Sequence, residues 1–145
     1  MNPSQAPNKK TLYTATALAA TAAGTAVDVP ISDSYTIYAD VAAGTGTSPT
    51  LDLAIQHSFD GGTTYYTFAK LTQITTAAKA YQISIRNGLA MGEAATEQAT
   101  ALTGSAYVKN TNLGTKWRVY ATVGGTNPAF ATVTVFVVPM PNGGV

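Results

Sequence analysis

Several stretches of this chain alternate apolar and polar residues with a period of two. In SYTIYADVA, Tyr35, Ile37, Ala39 and Val41 share one face, opposite Thr36, Tyr38 and Asp40. In TLDLAIQHS, Leu51, Leu53 and Ile55 alternate with Asp52, Ala54 and Gln56. In KWRVYATV, Trp117, Val119, Ala121 and Val123 oppose Lys116, Arg118, Tyr120 and Thr122. Period two is the geometry of an extended strand with one face on a core and one on water. Phe130–Val138 differs, being apolar on both sides, with Phe130 and Phe136 on one and Val133, Val135 and Val137 on the other. Such a strand needs cover on both faces, by a second sheet and by a loop or a neighbouring subunit, so subunit or capsid contacts are expected near it, with Val133, Val135 and Val137 as interface candidates.

Further strands are expected at Thr11–Leu18, Thr25–Val29, Thr64–Ile74 (broken near Lys70), Ala80–Arg86 and Tyr107–Val108. Turn residues separate them at Asp33-Ser34, Gly44–Pro49, Asp60–Gly62, Asn87-Gly88 and Gly124–Pro128. Short strands at this spacing predict an all-β fold, an antiparallel two-sheet β-sandwich of jelly-roll type. The pieces Ile37–Val41 and Val119–Val123 are each followed by Gly-Thr, then Pro49 or Pro128, then a strand. The pattern reads as two similar hairpins, one in each of two facing sheets, or as convergent turns.

At 145 residues the chain is expected to be one domain. Residues 1–10 are an N-terminal arm, 11–138 the β-domain, and 139–145 a C-terminal tail. Residues 88–105 form an Ala- and Glu-rich insertion in which Leu89–Leu102 is the place for any helix. Glu93 and Glu97 in the insertion, and Lys9 and Lys10 in the arm, are candidate contact residues beside the three valines. TLYTATALAATAAGTA follows that Lys pair as the apolar part of a signal peptide would, but its recurrent Thr and Tyr13 favour a strand.

Cysteine is absent, which excludes disulfides and cysteine-based metal sites. Net charge is +1 and only 10% of residues are charged, against about 25% in an ordinary soluble domain. The chain carries no basic field for nucleic acid or an anionic membrane, and no apolar run near the roughly 20 residues of a membrane span.

One stretch holds the pattern Ser-x-Asp-x-Gly-x-Thr-aromatic: SFDGGTTY, Ser58 to Tyr65. It resembles the Asp-box of sialidases and related propellers. There the box is similarly a hairpin element away from the catalytic centre. Sialidases also need an arginine cluster, and here the arginines are Arg86 and Arg118. The box is therefore expected to be a structural turn. Asp60 takes backbone N–H bonds, Gly61 and Gly62 turn the chain, and Ser58 and Tyr65 flank them. His57 is the only histidine and is expected as a polar neighbour of that turn. No catalytic, cofactor-binding or metal residues are marked by spacing, so the chain is not expected to be an enzyme. Tyr65, Tyr66, Phe68, Tyr81 and Trp117 can stack on sugars or fill a core, and their placement favours the core.

The runs SPTLDLAIQHSFDGGTTYYTFAKLTQITTA and KWRVYATVGGTNPAFATVTVFV together resemble a group of small tailed-phage virion proteins, at Ser48–Asp60, Phe68–Thr75 and Arg118–Val135. The resemblance implies a capsid decoration (cement) protein on the virion surface, made in the host bacterial cytoplasm. Its partner would be the major capsid protein, and it would be a homo-oligomer, with a trimer suggested by shell symmetry. A tail, neck or fibre component and a non-catalytic carbohydrate-binding module are the alternatives. The 88–105 insertion departs from the family pattern.

Overall fold

The computed structural model describes residues 9–88, 106–108 and 111–140. The described residues form strands and connecting loops, without helix. The strands are β1 (Lys10–Leu18), β2 (Ala22–Ala23), β3 (Val27–Asp28), β4 (Ser34–Val41), β5 (Gly44–Ser58), β6 (Tyr66–Lys70), β7 (Lys79–Arg86), β8 (Tyr107–Val108) and β9 (Lys116–Met140). The expected break near Lys70 is present, and Thr25–Val29 is reduced to the short β3. The expected helix in Leu89–Leu102, Glu93 and Glu97, and most of both terminal arms, lie outside the described residues. Pro139 and Met140, assigned above to the tail, continue β9.

All pairings are antiparallel and join the strands into one sheet in the order β7-β4-β9-β5-β6-β8. Along the other side of β9 run β1, β2 and β3 in succession. β9, with 25 residues, is the axis of the sheet. β4 and β5 act as one line against it, since Ser34 faces Met140, Gly44 faces Phe130 and Ser58 faces Lys116. Two register irregularities between Thr45 and Thr50 cancel each other.

Those irregularities mark a corner. The two Gly-Thr/Pro segments are not the separate hairpins the sequence suggested. They lie opposite one another in a single ladder, with Thr47 facing Thr126 and Thr50 facing Gly124. Gly46, Ser48, Gly125 and Asn127 all have positive φ there, so both strands bend together without reversing. The bend is large. A straight strand from Trp117 to Pro139 would span about 70 Å. Tyr35, which pairs with Pro139, nevertheless packs its ring 4.7 Å from that of Trp117. The sheet is therefore curled back on itself. One half (β1, β4, β7 and residues 130–140) lies against the other (β2, β3, β5, β6, β8 and residues 116–123).

The core fills the space between the halves. Tyr35, Ile37, Ala39 and Val41, Leu51, Leu53 and Ile55, and Trp117, Val119 and Ala121 all point inward, as their alternation predicts. Val133, Val135 and Val137 correct the expectation of a subunit contact. They are 0% exposed within this chain and present no surface to a neighbour. Phe130 joins them inside, because exposed Ala131 and Thr132 shift the alternation by one residue. The outward side of this strand is instead Phe136 and Val138, both half-buried.

The corner yields a contrast between two glycines. Gly125 has φ +107°, and a Cβ there would lie 2.6 Å from the Ser48 carbonyl oxygen. Gly61 has φ +73° with open space around it. Gly125→Ala is expected to cost at least about 2 kcal/mol and Gly61→Ala about 1 kcal/mol, measured by urea denaturation, since only the first adds a backbone clash to strain.

Candidate functional site

The Ser58–Tyr65 turn joins the end of β5 to the start of β6. The Ser58 hydroxyl donates to Asp60 Oδ1 at 2.7 Å and accepts from the Gly62 backbone N–H at 3.0 Å. Asp60 Oδ1 also accepts from the backbone N–H groups of Thr64 at 2.8 Å and Thr63 at 3.1 Å. Gly61 and Gly62 both take positive φ, which closes the loop around that carboxylate. The donors favour the charged form. The Thr64 N–H, followed by the Ser58 hydroxyl, pulls the Asp60 carboxyl down to about 2. A carboxylate so held is a poor proton acceptor at neutral pH. Tyr65 is buried beneath Arg118, whose guanidinium carbon sits 3.8 Å from the ring centroid. Of the five turn residues marked from sequence, Ser58, Asp60, Gly61 and Gly62 close the loop, and Tyr65 packs against Arg118. Phe59 is the exposed large apolar side chain of the turn, at 64%.

His57 flanks the turn, as expected from the sequence, but its side chain is buried. It is 2% exposed, on the core face of β5. Its ring lies 4.8 Å from Phe59 and 5.4 Å from Phe68, both edge-on. Its Nδ1 accepts the Gly114 backbone N–H at 3.0 Å, while the Gly114 carbonyl accepts the Trp117 indole N–H at 2.7 Å. A Cβ at residue 114 would collide with the Ser58 carbonyl. His57, Gly114 and Trp117 thus lock the segment entering β9 against the end of β5. Sequence reasoning missed Gly114, and its one signal was a glycine just before a strand. Loss of hydration pushes the His57 imidazole down to about 4, because the charged ring would be stranded among apolar rings.

The outward face of β5 also departs from expectation. Asp52 and Gln56 were expected in water, and both are buried. Lys70 Nζ, itself buried, lies 3.3 Å from Asp52 Oδ1, and Gln73 Nε2 donates to Asp52 Oδ2 at 2.8 Å. Gln56 donates to the Thr67 hydroxyl at 3.1 Å and accepts from Arg118 Nε at 2.8 Å. Long side chains on β6, β9 and the Leu71–Ile74 segment cover this polar row and hydrogen-bond Gln56 and Asp52 Oδ2, while Asp52 Oδ1 has the Lys70 charge beside it and no hydrogen bond.

Of the aromatic residues weighed for sugar stacking, Phe68 and Trp117 are 0% exposed and pack on each other at 4.8 Å. Tyr81 is half-buried and donates its hydroxyl to the Thr72 carbonyl. Leu71, Tyr81, Ile83 and Val108 line a shallow apolar groove. Among the described residues no three of His, Asp or Glu come close enough to hold a metal ion. Of the candidate contact residues, Lys9 and Lys10 are exposed. Among the described residues the exposed large apolar side chains are Ile31, Tyr38, Phe59 and Val108. No protein-family model, no curated protein and no solved structure matches this chain.

Two predictions come from these clusters. Because the folded His57 pKa is lowered, its contribution is full above the ordinary value near 6.5 and is lost as pH falls towards 4. The loss is about 2 kcal/mol once partial solvent screening is allowed for. Asp60 adds a second loss in the same direction, as pH falls from 3.8 towards 2. His57→Asn, which keeps an acceptor for Gly114, should flatten chemical-denaturation stability between pH 6.5 and 4 and leave the lower window in place.

The buried Lys70–Asp52 pair gives the other prediction. Lys70→Met should destabilise by about 3 kcal/mol, because it strands a buried carboxylate. Lys70→Met combined with Asp52→Leu should recover most of that. Equal losses in the single and double variants would show that the charge pair is not what matters there.

Proposed function

We propose that this protein is a structural component of a tailed-phage virion that binds the outside of the capsid and stabilises the shell. The observation that supports this reading best is spatial. The segments carrying the resemblance, Ser48–Asp60, Phe68–Thr75 and Arg118–Val135, fall mainly on β5, β6 and β9, which pair in the order β6-β5-β9. They therefore form one structural unit. The two halves of the curled sheet are read as the two layers of a jelly-roll-type β-sandwich. Its partner is the major capsid protein, and its place is the virion surface.

The side-chain chemistry fits a protein whose work is contact. Asp60 is held by its own turn, and His57 by Gly114 and the rings around it. The charge of Asp52 is answered by Lys70. What faces outward includes the threonines of β1 and the exposed residues Ile31, Tyr38 and Phe59. With so few charges, attachment must rest on apolar and backbone contacts, which salt screens little.

The test is co-sedimentation of the purified protein with capsid shells that lack it, from the phage that encodes it. Saturable pelleting that changes less than about twofold between roughly 0.1 and 1 M NaCl is expected. Failure to pellet, or release at moderate salt, would overturn the reading. Saturable binding on a glycan array instead would move the protein to the sugar-binding class.

A further inference from the structure

We propose that the outward face of the β1–β9–β4–β7 half of the sheet is a homodimer interface. Its two-fold axis sets Asp40 of each copy against Lys9 of the other. The register defines this face. Tyr38 stands between Phe136 and Gln82, Thr36 between Val138 and Ser84, and Asp40 between Thr134 and Ala80. Thr11 flanks Phe136 on the other side. Tyr38 is 42% exposed, although it sits in the middle strands of the sheet rather than at an edge. Phe136 and Val138 beside it are half-buried.

The charges on this face lie at opposite ends of a diagonal. Lys9 is exposed on the β1 side, with its ammonium 4.2 Å from the centre of the Phe136 ring. Asp40 is exposed on the β4 side, one step along the alternation from Tyr38. Lys70–Asp52 and Lys116–Asp28 are ion pairs, and neither Lys9 nor Asp40 has an ion partner among the described residues. A two-fold axis lying in the face, and crossing that diagonal near Phe136 and Tyr38, exchanges the two ends. Each cation then meets an anion, and aromatic rings meet at the centre. A patch that is its own complement in this way suits an isologous contact.

Size sets the strength. Four strands about 4.8 Å apart and eight residues long at about 3.3 Å each give roughly 500 Å² per copy, or about 1,000 Å² in total. That is near the lower limit for a specific interface, so the dimer is weak and concentration-dependent. The two-fold contact implies even copy numbers, where shell symmetry had suggested three.

Sedimentation equilibrium of the purified chain from roughly 1 to 200 µM tests this without any capsid, so its outcome is independent of the capsid reading. A monomer–dimer equilibrium is expected. Asp40→Lys should weaken it at least about tenfold, and Lys9→Asp combined with Asp40→Lys should restore it to within about threefold. Tyr38→Thr, which keeps a β-branched residue on the strand, should also weaken dimerisation while leaving the melting temperature unchanged. A monomer throughout the range, a trimer, indifference to Asp40→Lys, or failure of the charge swap to restore association would each overturn the proposal.

Discussion

Everything in this protein hangs on one ladder, the pairing of the β4–β5 line with β9 along nearly all of its length. Backbone hydrogen bonds of this kind are obligatory for buried chain, and here they extend well past the length of an ordinary strand. A flat ladder of that length would expose its apolar face. The corner at Gly44–Thr50 and Gly124–Phe130 removes the problem by folding that face upon itself. Tyr35 and Trp117, far apart along the strands, become the contact that closes the fold.

The same folding explains why so many polar groups are inside. Where the two ends of the sheet meet, loops must seal the core. His57, Gly114 and the Trp117 indole make that seal with hydrogen bonds rather than apolar volume. On the outward face of β5, Lys70, Gln73 and Arg118 each find a carboxylate or amide to hold. Buried polar groups cost free energy unless they are satisfied in this manner. The chain thus turns Asp52, Lys70 and Arg118 to its own stability, while Lys9 and Asp40 stay exposed among threonines and scattered apolar side chains.

The alternation of apolar residues was enough to read an all-β chain, the strands β4 and β7, most of β5 and the first part of β9, and the core-facing side of β4, β5 and β9, but not that the other side of β5 is covered as well. It worked because period two is a local property of extended chain, independent of what the strand pairs with. The Ser58–Tyr65 turn was legible for a similar reason, since its bonds close within eight residues. Other features were not local. The Gly-Thr/Pro segments look like hairpins in sequence, and only pairing across some eighty residues shows them to be two sides of one corner. The inward turn of Phe130 depends on a one-residue change of phase that composition does not mark. Burial of Val133, Val135 and Val137 was decided by the sheet folding over them, which replaced the neighbour they had seemed to require. Sequence by itself determined the alternating strand segments and the tight turn, because neighbouring residues set both. Tertiary structure alone decided what covers each face and where His57, Asp52 and Gln56 end, because burial depends on partners distant in the chain.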